Sequence, residues 1–170
     1  ETVSRVFAPL SQGVALPLLF PLTSEDKFTI IQSMNIKSPA QLKDAGLKLL
    51  IADDEPVILE QLAKLGEVLG FEVHTGADGE EAWEVFKTVW PDIAILDIYM
   101  PRMNGLMLLN KIKEANDNCI TILITGYTHY KQLVHKNYIK PDGFITKPFS
   151  LETMVREIVK LATEYKLLVT

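Results

Sequence analysis

The chain has 170 residues, 48% of them hydrophobic, and a formal net charge of -5. This composition excludes a globally disordered chain, and the acidic balance argues against nucleic-acid binding through the bulk charge of this chain. The single cysteine, Cys119, excludes an intrachain disulfide framework, which fits a reducing, cytoplasmic setting. No apolar run approaches the roughly 20 residues of a membrane helix, so we expect no membrane association.

Residues 1–46 have no regular hydrophobic period and are interrupted by several prolines. Ser24 has the character of a helix N-cap and predicts a short helix over 25–34. Pro39 begins a second short helix that Gly46 ends. We therefore expect a partly helical N-terminal extension, or the remnant of a preceding domain or linker. Its apolar residues require burial, so both helices should be ordered.

From Leu47 onward, strand-like and helix-like segments alternate. Three of the predicted strands are almost wholly apolar, as in a buried parallel sheet. The pattern predicts one α/β domain over 47–170, a doubly wound five-stranded parallel sheet with helices on both faces. The predicted strands are 47–52, 71–75, 92–96, 120–124 and 143–145, and the predicted helices are 55–69, 79–87, 105–115, 129–138 and 151–168.

Carboxylates follow two of the predicted strands. Asp53 and Asp54 come directly after the first strand, and Asp97 comes directly after the third. Parallel strands end at the same edge of a sheet, so these side chains converge if the strands are neighbours about 4.8 Å apart. Clustered anions repel unless a cation lies among them, and oxygen ligands favour Mg²⁺. The alternative is a solvated helix start, with Asp54 or Glu55 as the cap of the first helix.

Two further strand ends add polar groups to the same edge. Thr125 and Gly126 follow the fourth strand, where Gly126 leaves room beside the hydroxyl, and Lys147 follows the fifth, before Pro148. A lysine before a proline is commonly only a solvated loop residue. Together with the carboxylates, however, these groups are the parts that stabilise an in-line phosphoryl transfer onto Asp97.

The segments LLIADDEP, PDIAILDIYMPRMNG, ILITGY and DGFITKPF, in this order, cover much of the chain from residue 47 to about 168. This stretch resembles the receiver domain of bacterial two-component response regulators. The resemblance implies a flavodoxin-like sheet with strand order 2-1-3-4-5. It also implies that Asp97 accepts a phosphoryl group from a histidine kinase or histidine phosphotransfer protein, with Mg²⁺ as cofactor and Mn²⁺ as a substitute.

The resemblance assigns roles by matching position. Phosphorylation is expected to change the face formed by helix 129–138, strand five and the last helix, for a partner or a second copy of the chain. No direct nucleic-acid binding by this chain is expected. By the resemblance, the phosphoacceptor is Asp97. The metal ligands are Asp53, Asp54, Asp97 and the backbone carbonyl of Tyr99, and of the acidic pair 53–54 it is Asp54 that is expected to contact the ion directly. The phosphate-binding and switch residues are Thr125, Gly126, Lys147 and the aromatic Phe144.

Two features depart from the family pattern. Residues 127–142 are rich in Tyr, His and Lys, and residues 1–46 match no part of it. Two rival functions remain open. A phosphatase with an aspartyl nucleophile usually carries Asp-x-Asp after strand one, whereas Tyr99 stands two residues after Asp97. A receiver-fold interaction module without phosphorylation has usually lost one of the site residues, and all are present here. A regulatory domain rather than an enzyme is expected, either alone or cut from a longer protein.

Overall fold

The computed structural model describes residues 46–126, 139–165 and 167. The helices predicted at 25–34, from Pro39 and at 129–138 lie outside the described residues. The described elements are β1 (Lys48–Ala52), α1 (Pro56–Leu69), β2 (Glu72–Gly76), α2 (Gly79–Val89), β3 (Ile93–Asp97), α3 (Gly105–Ala115), β4 (Ile120–Thr125), β5 (Gly143–Thr146) and α4 (Leu151–Glu164).

The strands form one parallel sheet in the order β2-β1-β3-β4-β5, which confirms the predicted topology. At the C-terminal edge, Ala52 pairs with Leu96, and Asp97 pairs with Ile124. Thr125 pairs with Thr146 on the outermost strand of this side. The residues that follow β1, β3, β4 and β5 therefore emerge side by side.

Alternate side chains of the central strands are buried in two separate clusters, one on each face of the sheet. All residues of β3 and β4 are buried, as their nearly continuous apolar sequence predicts. Helices α1 and α4 cover one face through residues such as Leu62 and Ile158. Helices α2 and α3 cover the other through residues such as Phe86 and Leu109. The prediction of helices on both faces is confirmed.

Local contacts fix several helix ends. Helix α1 ends at Gly70, whose φ of 92° lies in the left-handed region that glycine adopts without strain. The Asn104 side chain accepts a hydrogen bond from the amide of Met107 at the start of α3, and Ser150 accepts from Thr153 at the start of α4. These short-range contacts fix where α1 ends and where α3 and α4 begin.

The predicted start of α1 and the predicted ends of α2 and α4 differ from the structure, in which α1 begins at Pro56 and α2 ends at Val89. Glu55 occupies the cap position of α1, but neither it nor Asp54 caps the helix through its side chain, because the Glu55 carboxylate reaches Lys147 instead. Helix α4 ends at Glu164 rather than at residue 168. The amide of Leu167 donates to the carbonyl of Ala162, a contact that closes the last turn.

Candidate functional site

Three side chains from three strand ends meet at the C-terminal edge. The ammonium Nζ of Lys147 lies 2.9 Å from Oδ2 of Asp53 and 3.0 Å from Oδ1 of Asp97. Asp53 follows β1, Asp97 ends β3 and Lys147 follows β5, so the sheet order places the lysine opposite both carboxylates. The structure brings these three of the predicted site residues together.

Backbone amides hold the second oxygen of each carboxylate. The amide of Glu55 donates to Oδ1 of Asp53 at 2.9 Å, and the amide of Tyr99 donates to Oδ2 of Asp97 at 2.8 Å. Each carboxylate therefore has one oxygen fixed by the main chain and one directed at Lys147. This arrangement restricts rotation of both side chains before any ligand arrives.

Both carboxylates are buried, Asp53 with 0% and Asp97 with 4% of its surface exposed. Burial raises the pKa of the Asp97 carboxyl to about 6, although hydrogen bonding and charge from Lys147 oppose the shift. Burial also raises the pKa of Asp53, with the Glu55 amide and Lys147 opposing. Burial disfavours the charge of Lys147, but hydrogen bonds to Glu55, Asp53 and Asp97 raise its pKa overall. Two poorly solvated anions thus share one ammonium, an arrangement that attracts further positive charge.

The start of α3 packs directly against the strand that carries Asp97. A Cβ atom on Gly105 would lie 2.2 Å from the carbonyl oxygen of Asp97, so no other residue fits there without displacing the backbone. The amide of Gly105 also donates to the carbonyl of Ile98 at 2.9 Å. The Asn-Gly pair at 104–105 therefore also positions the strand that carries Asp97.

The remaining predicted residues surround this cluster at different depths. Asp54 is exposed, and Lys147 contacts Asp53, Asp97 and Glu55 rather than Asp54. Tyr99 is 46% exposed and directs its amide at Asp97. Thr125 is fully buried, and its carbonyl accepts from the amide of Lys147 at 2.7 Å.

Gly126 and Phe144 complete the predicted set. Gly126 is exposed, and a Cβ atom there would meet only Cβ of Lys147, at 3.9 Å, which agrees with the room expected at this position. Phe144 is partly buried and packs against the apolar cluster on the α2 and α3 face of the sheet. It lies on β5, one position before the Ile145 that pairs with Ile124.

Sequence reasoning missed two contacts near the site. Glu55 Oε1 lies 2.8 Å from Nζ of Lys147, although the sequence pattern indicates only a helix cap there. Arg102 adopts a left-handed φ of 63° and pairs with the nearly buried Asp78, which caps α2. The Asp78-Gly-Glu-Glu run is a recognisable cap signal, whereas no local pattern indicates the partner of Glu55 or of Arg102.

The donors at this edge fit a small hard cation. Among residues 46–126, 139–165 and 167, no group of three or more His, Cys, Asp or Glu side chains could hold a metal ion. Mg²⁺, however, usually binds one or two protein carboxylates and keeps several waters. Asp53 and Asp97, two buried oxygen donors on adjacent strand ends, match that requirement, and the shortage of positive charge around them favours such an ion.

Features elsewhere in the described part of the chain do not add a second site of this kind. Cys119 is buried, and burial raises the pKa of its thiol to about 12, which disfavours the reactive thiolate form. Within the described ranges, no helix has the length and apolar character needed to cross a membrane.

Comparison with known proteins identifies the domain. The family model for the response regulator receiver domain matches residues 49–159 of this chain. The chain is 31% identical over 112 residues to the transcriptional regulatory protein TrcR of Mycobacterium tuberculosis, covering 66% of this chain and 44% of TrcR. It is 34% identical over 116 residues to the probable transcriptional regulator ycf27 of Guillardia theta, covering 66% of this chain and 45% of that protein. The chain thus spans less than half the length of these relatives.

Solved structures agree in fold. CheY in the CheX-CheY-BeF3-Mg complex of Borrelia burgdorferi is similar with a TM-score of 0.65 and 33% identity, covering 72% of this chain and 96% of that one. A CheY-like receiver domain protein from Methanospirillum hungatei has a TM-score of 0.66 and 28% identity, covering 71% of this chain and 97% of that one. The family match, the shared sheet order and the strand-end cluster lead to one conclusion: the chain belongs to the response regulator receiver domain family of two-component signalling.

Proposed function

We propose that this domain is a phosphorylation-controlled switch in which Asp97 accepts a phosphoryl group from a histidine kinase or histidine phosphotransfer protein. The observation that carries the proposal is the contact of Lys147 with Asp97 and Asp53 at three adjacent strand ends. In the transfer, an oxygen of Asp97 forms a bond to phosphorus as the phosphorus–nitrogen bond of phosphohistidine breaks. The departing imidazole keeps that electron pair and leaves as a neutral ring, because its other ring nitrogen carries a proton in the phosphohistidine that reacts. The Lys147 ammonium stabilises charge on the phosphoryl oxygens.

The site residues are proposed to hold Mg²⁺, with Mn²⁺ as a substitute. Asp53, Asp54, Asp97 and the carbonyl of Tyr99 would be its protein ligands, and the similar CheY of Borrelia burgdorferi was solved in a complex with BeF3 and magnesium. When bound, the ion neutralises phosphoryl oxygens during transfer. The backbone amides on Asp53 and Asp97 support the assignment, since they orient both carboxylates in advance.

The phosphorylated state is proposed to alter the surface next to β5. A phosphoryl group on Asp97 would accept a hydrogen bond from the Thr125 hydroxyl, and Phe144 would move into the space that Thr125 vacates. The surface around β5 and α4 would then present a changed shape to a partner or to a second copy of the chain. The domain is proposed to assist only its own phosphorylation and dephosphorylation, in the cytoplasm, and to bind no nucleic acid itself.

The test is labelling of the chain with acetyl phosphate, followed by intact-mass measurement. Wild-type protein should gain one phosphoryl group with Mg²⁺ or Mn²⁺ and none in the presence of EDTA. Asp97→Asn should gain none. The matched control is Asp117→Asn, an exposed aspartate at the opposite edge of the sheet, which should be labelled as wild type.

Undiminished labelling of Asp97→Asn would overturn the acceptor assignment. Absence of labelling in the wild type would favour a receiver-fold interaction module that acts without phosphorylation. Repeated release of phosphate from a phosphomonoester would instead identify an aspartyl phosphatase.

A further inference from the structure

Lys147 has a third carboxylate partner that the proposed phosphorylation chemistry does not use. Glu55 Oε1 lies 2.8 Å from Nζ of Lys147, which is as close as either buried aspartate. The backbone amide of Glu55 simultaneously donates to Asp53. One residue therefore restrains both the buried acid and the lysine that pairs with it.

Local sequence holds Glu55 in this position. It adopts extended backbone angles, φ -87° and ψ 108°, and the following Pro56 disfavours a helical conformation at the residue before it. Glu55 stands where a helix cap would, yet its side chain makes no capping hydrogen bond. The carboxylate is directed across the crevice to a residue 92 positions away in sequence.

The three carboxylates differ in depth. The side chain of Asp53 is 0% exposed, that of Asp97 is 5% exposed and that of Glu55 is 61% exposed. Lys147, with 17% of its side chain exposed, extends from the buried pair to the rim of the crevice. Glu55 is therefore the only one of these three partners that lies on the solvent side of the ammonium.

This arrangement resolves a conflict between two cations. A divalent ion bound by Asp53 and Asp97 would be repelled by an ammonium that contacts the same oxygens. Lys147 must therefore move away from Asp53 when the ion binds, and without Glu55 it would be left partly buried with Asp97 alone, a carboxylate that the ion also binds. Glu55 gives the ammonium a second anion at the rim.

We propose, on the basis of the proposed function, that Glu55 is a positioning residue that holds Lys147 at the rim while Asp53 binds the divalent ion. Glu55 thereby lets metal binding coexist with the contact between Lys147 and the acceptor. Glu55 acts on the ion through Lys147 and is not itself a metal ligand.

The experiment is a Mg²⁺ titration of the whole chain, followed by backbone amide NMR shifts of residues 53–55 and 97–99. Glu55→Gln removes the charge but keeps the shape, and it should weaken Mg²⁺ binding about threefold, the scale of a partly exposed ion pair. The matched control is Glu60→Gln, which makes the same charge change on α1 but involves an acid that pairs with Lys64. It should bind Mg²⁺ as wild type does.

A second pair of variants separates an effect through the lysine from a direct effect on the ion. In a Lys147→Met background, Glu55→Gln should no longer change the Mg²⁺ affinity. A threefold loss that persists there would overturn the proposal, because Glu55 would then act on the ion directly.

Unchanged affinity of Glu55→Gln, while the wild type binds Mg²⁺, would also overturn it and leave the proposed function standing. A wild type that binds no Mg²⁺ would overturn the metal-dependent function itself. Thermal unfolding of each variant separates a loss of fold from a loss of affinity.

Discussion

At the scale of single residues, the ionised carboxylate of Asp97 lowers the stability of the fold that contains it. Burial raises the pKa of Asp97 from 3.8 to about 6, with Lys147 opposing in part. The folded state thus binds this proton more tightly than the unfolded state does. The protonated Asp97 therefore contributes its full stabilisation below about pH 3.8. The free energy of unfolding falls as the pH rises from there through about 6, where the buried carboxyl loses its proton. A pKa raised by about two units corresponds to about 3 kcal/mol of stability lost at neutral pH.

The variant Asp97→Asn should therefore be more stable than the wild type at pH 7. We expect the free energy of unfolding to rise by about 1–3 kcal/mol in metal-free buffer. Lys147 keeps Asp53 and Glu55 as partners, so the ammonium is not left alone. Urea unfolding at pH 7 and at pH 4 is the measurement. The gain should be much smaller at pH 4, and an equal gain at both pH values would contradict the electrostatic explanation.

A second, largely buried acid, Asp142, stabilises the opposite edge of the sheet. Its Oδ2 accepts hydrogen bonds from the amide and the hydroxyl of Thr121, and lies 2.8 Å from Nζ of Lys113. Its Oδ1 accepts a hydrogen bond from the hydroxyl of Tyr165. Burial alone would raise the pKa of Asp142, but these partners lower it overall. Its contribution to stability is therefore present above about pH 3.8 and is lost as the pH falls through the lowered pKa.

Asp142→Asn should destabilise the fold by about 3–5 kcal/mol, because the Lys113 side chain, only 6% exposed, loses its carboxylate partner. Tyr165→Phe removes a single hydrogen bond to the same acid and should cost only about 1 kcal/mol. Chemical unfolding at pH 7 compares the two variants. A cost for Asp142→Asn no larger than that for Tyr165→Phe would mean that the buried ion pair is not the main contribution.

At the scale of elements, hydrophobic period and cap residues were sufficient to predict the described sheet and helices. The alternation of strands and helices predicted both helical layers, the family resemblance supplied the strand order, and the bounds predicted for α3 match those observed. Errors arose where a tertiary contact competes with a local signal. The position of Glu55 along the chain fits a cap, but its partner, Lys147, lies 92 residues away. The convergence of Asp53, Asp97 and Lys147 was predictable because parallel strands end at one edge.

The loop between β3 and α3 is attached to the start of α2. Arg102 pairs with Asp78, and Asp78 accepts hydrogen bonds from the amides of Glu80 and Glu81. Arg102 adopts a left-handed φ of 63°, which is unfavourable for a residue with a side chain. A Cβ atom on Gly79 would lie 2.0 Å from the carbonyl oxygen of Met103, so the two loops also touch through their backbones. The loop that follows Asp97 is thereby held against the start of α2.

Two substitutions separate the ion pair from the backbone strain at Arg102. Arg102→Ala loses the contact with Asp78 and keeps the strained φ, so it should lower the free energy of unfolding by about 1–2 kcal/mol. Arg102→Gly loses the same contact but relieves the strain, so it should be about 1 kcal/mol more stable than Arg102→Ala. Thermal unfolding monitored by circular dichroism provides the comparison. A glycine variant less stable than the alanine variant would contradict the proposed strain.

At the scale of the whole molecule, the proposed phosphorylation must change a surface that a partner can bind. Strands β4 and β5 form the direct route, since Thr125 ends β4, Lys147 follows β5 and the Lys147 amide donates to the Thr125 carbonyl. The opposite end of the same pair of strands is fixed by Asp142, whose carboxylate bonds Thr121. Movement caused by a phosphoryl group should therefore be confined to the part of these strands from Phe144 to their C-terminal ends.

We expect a beryllofluoride phosphoryl mimic with Mg²⁺ to perturb backbone amides over 125–147 more than those of β1 and β2. The mimic places oxygen-like acceptors beside the Thr125 hydroxyl, and the response is limited by how differently the two conformations contact them. Thr125→Ala should still be labelled at Asp97 but should show a smaller shift over 125–147. The control, Thr75→Ala, changes an exposed threonine on β2 and should respond as the wild type does. An equal response in the wild type and in Thr125→Ala would remove Thr125 from the switch and would leave Lys147 as the residue that connects the acceptor to β5.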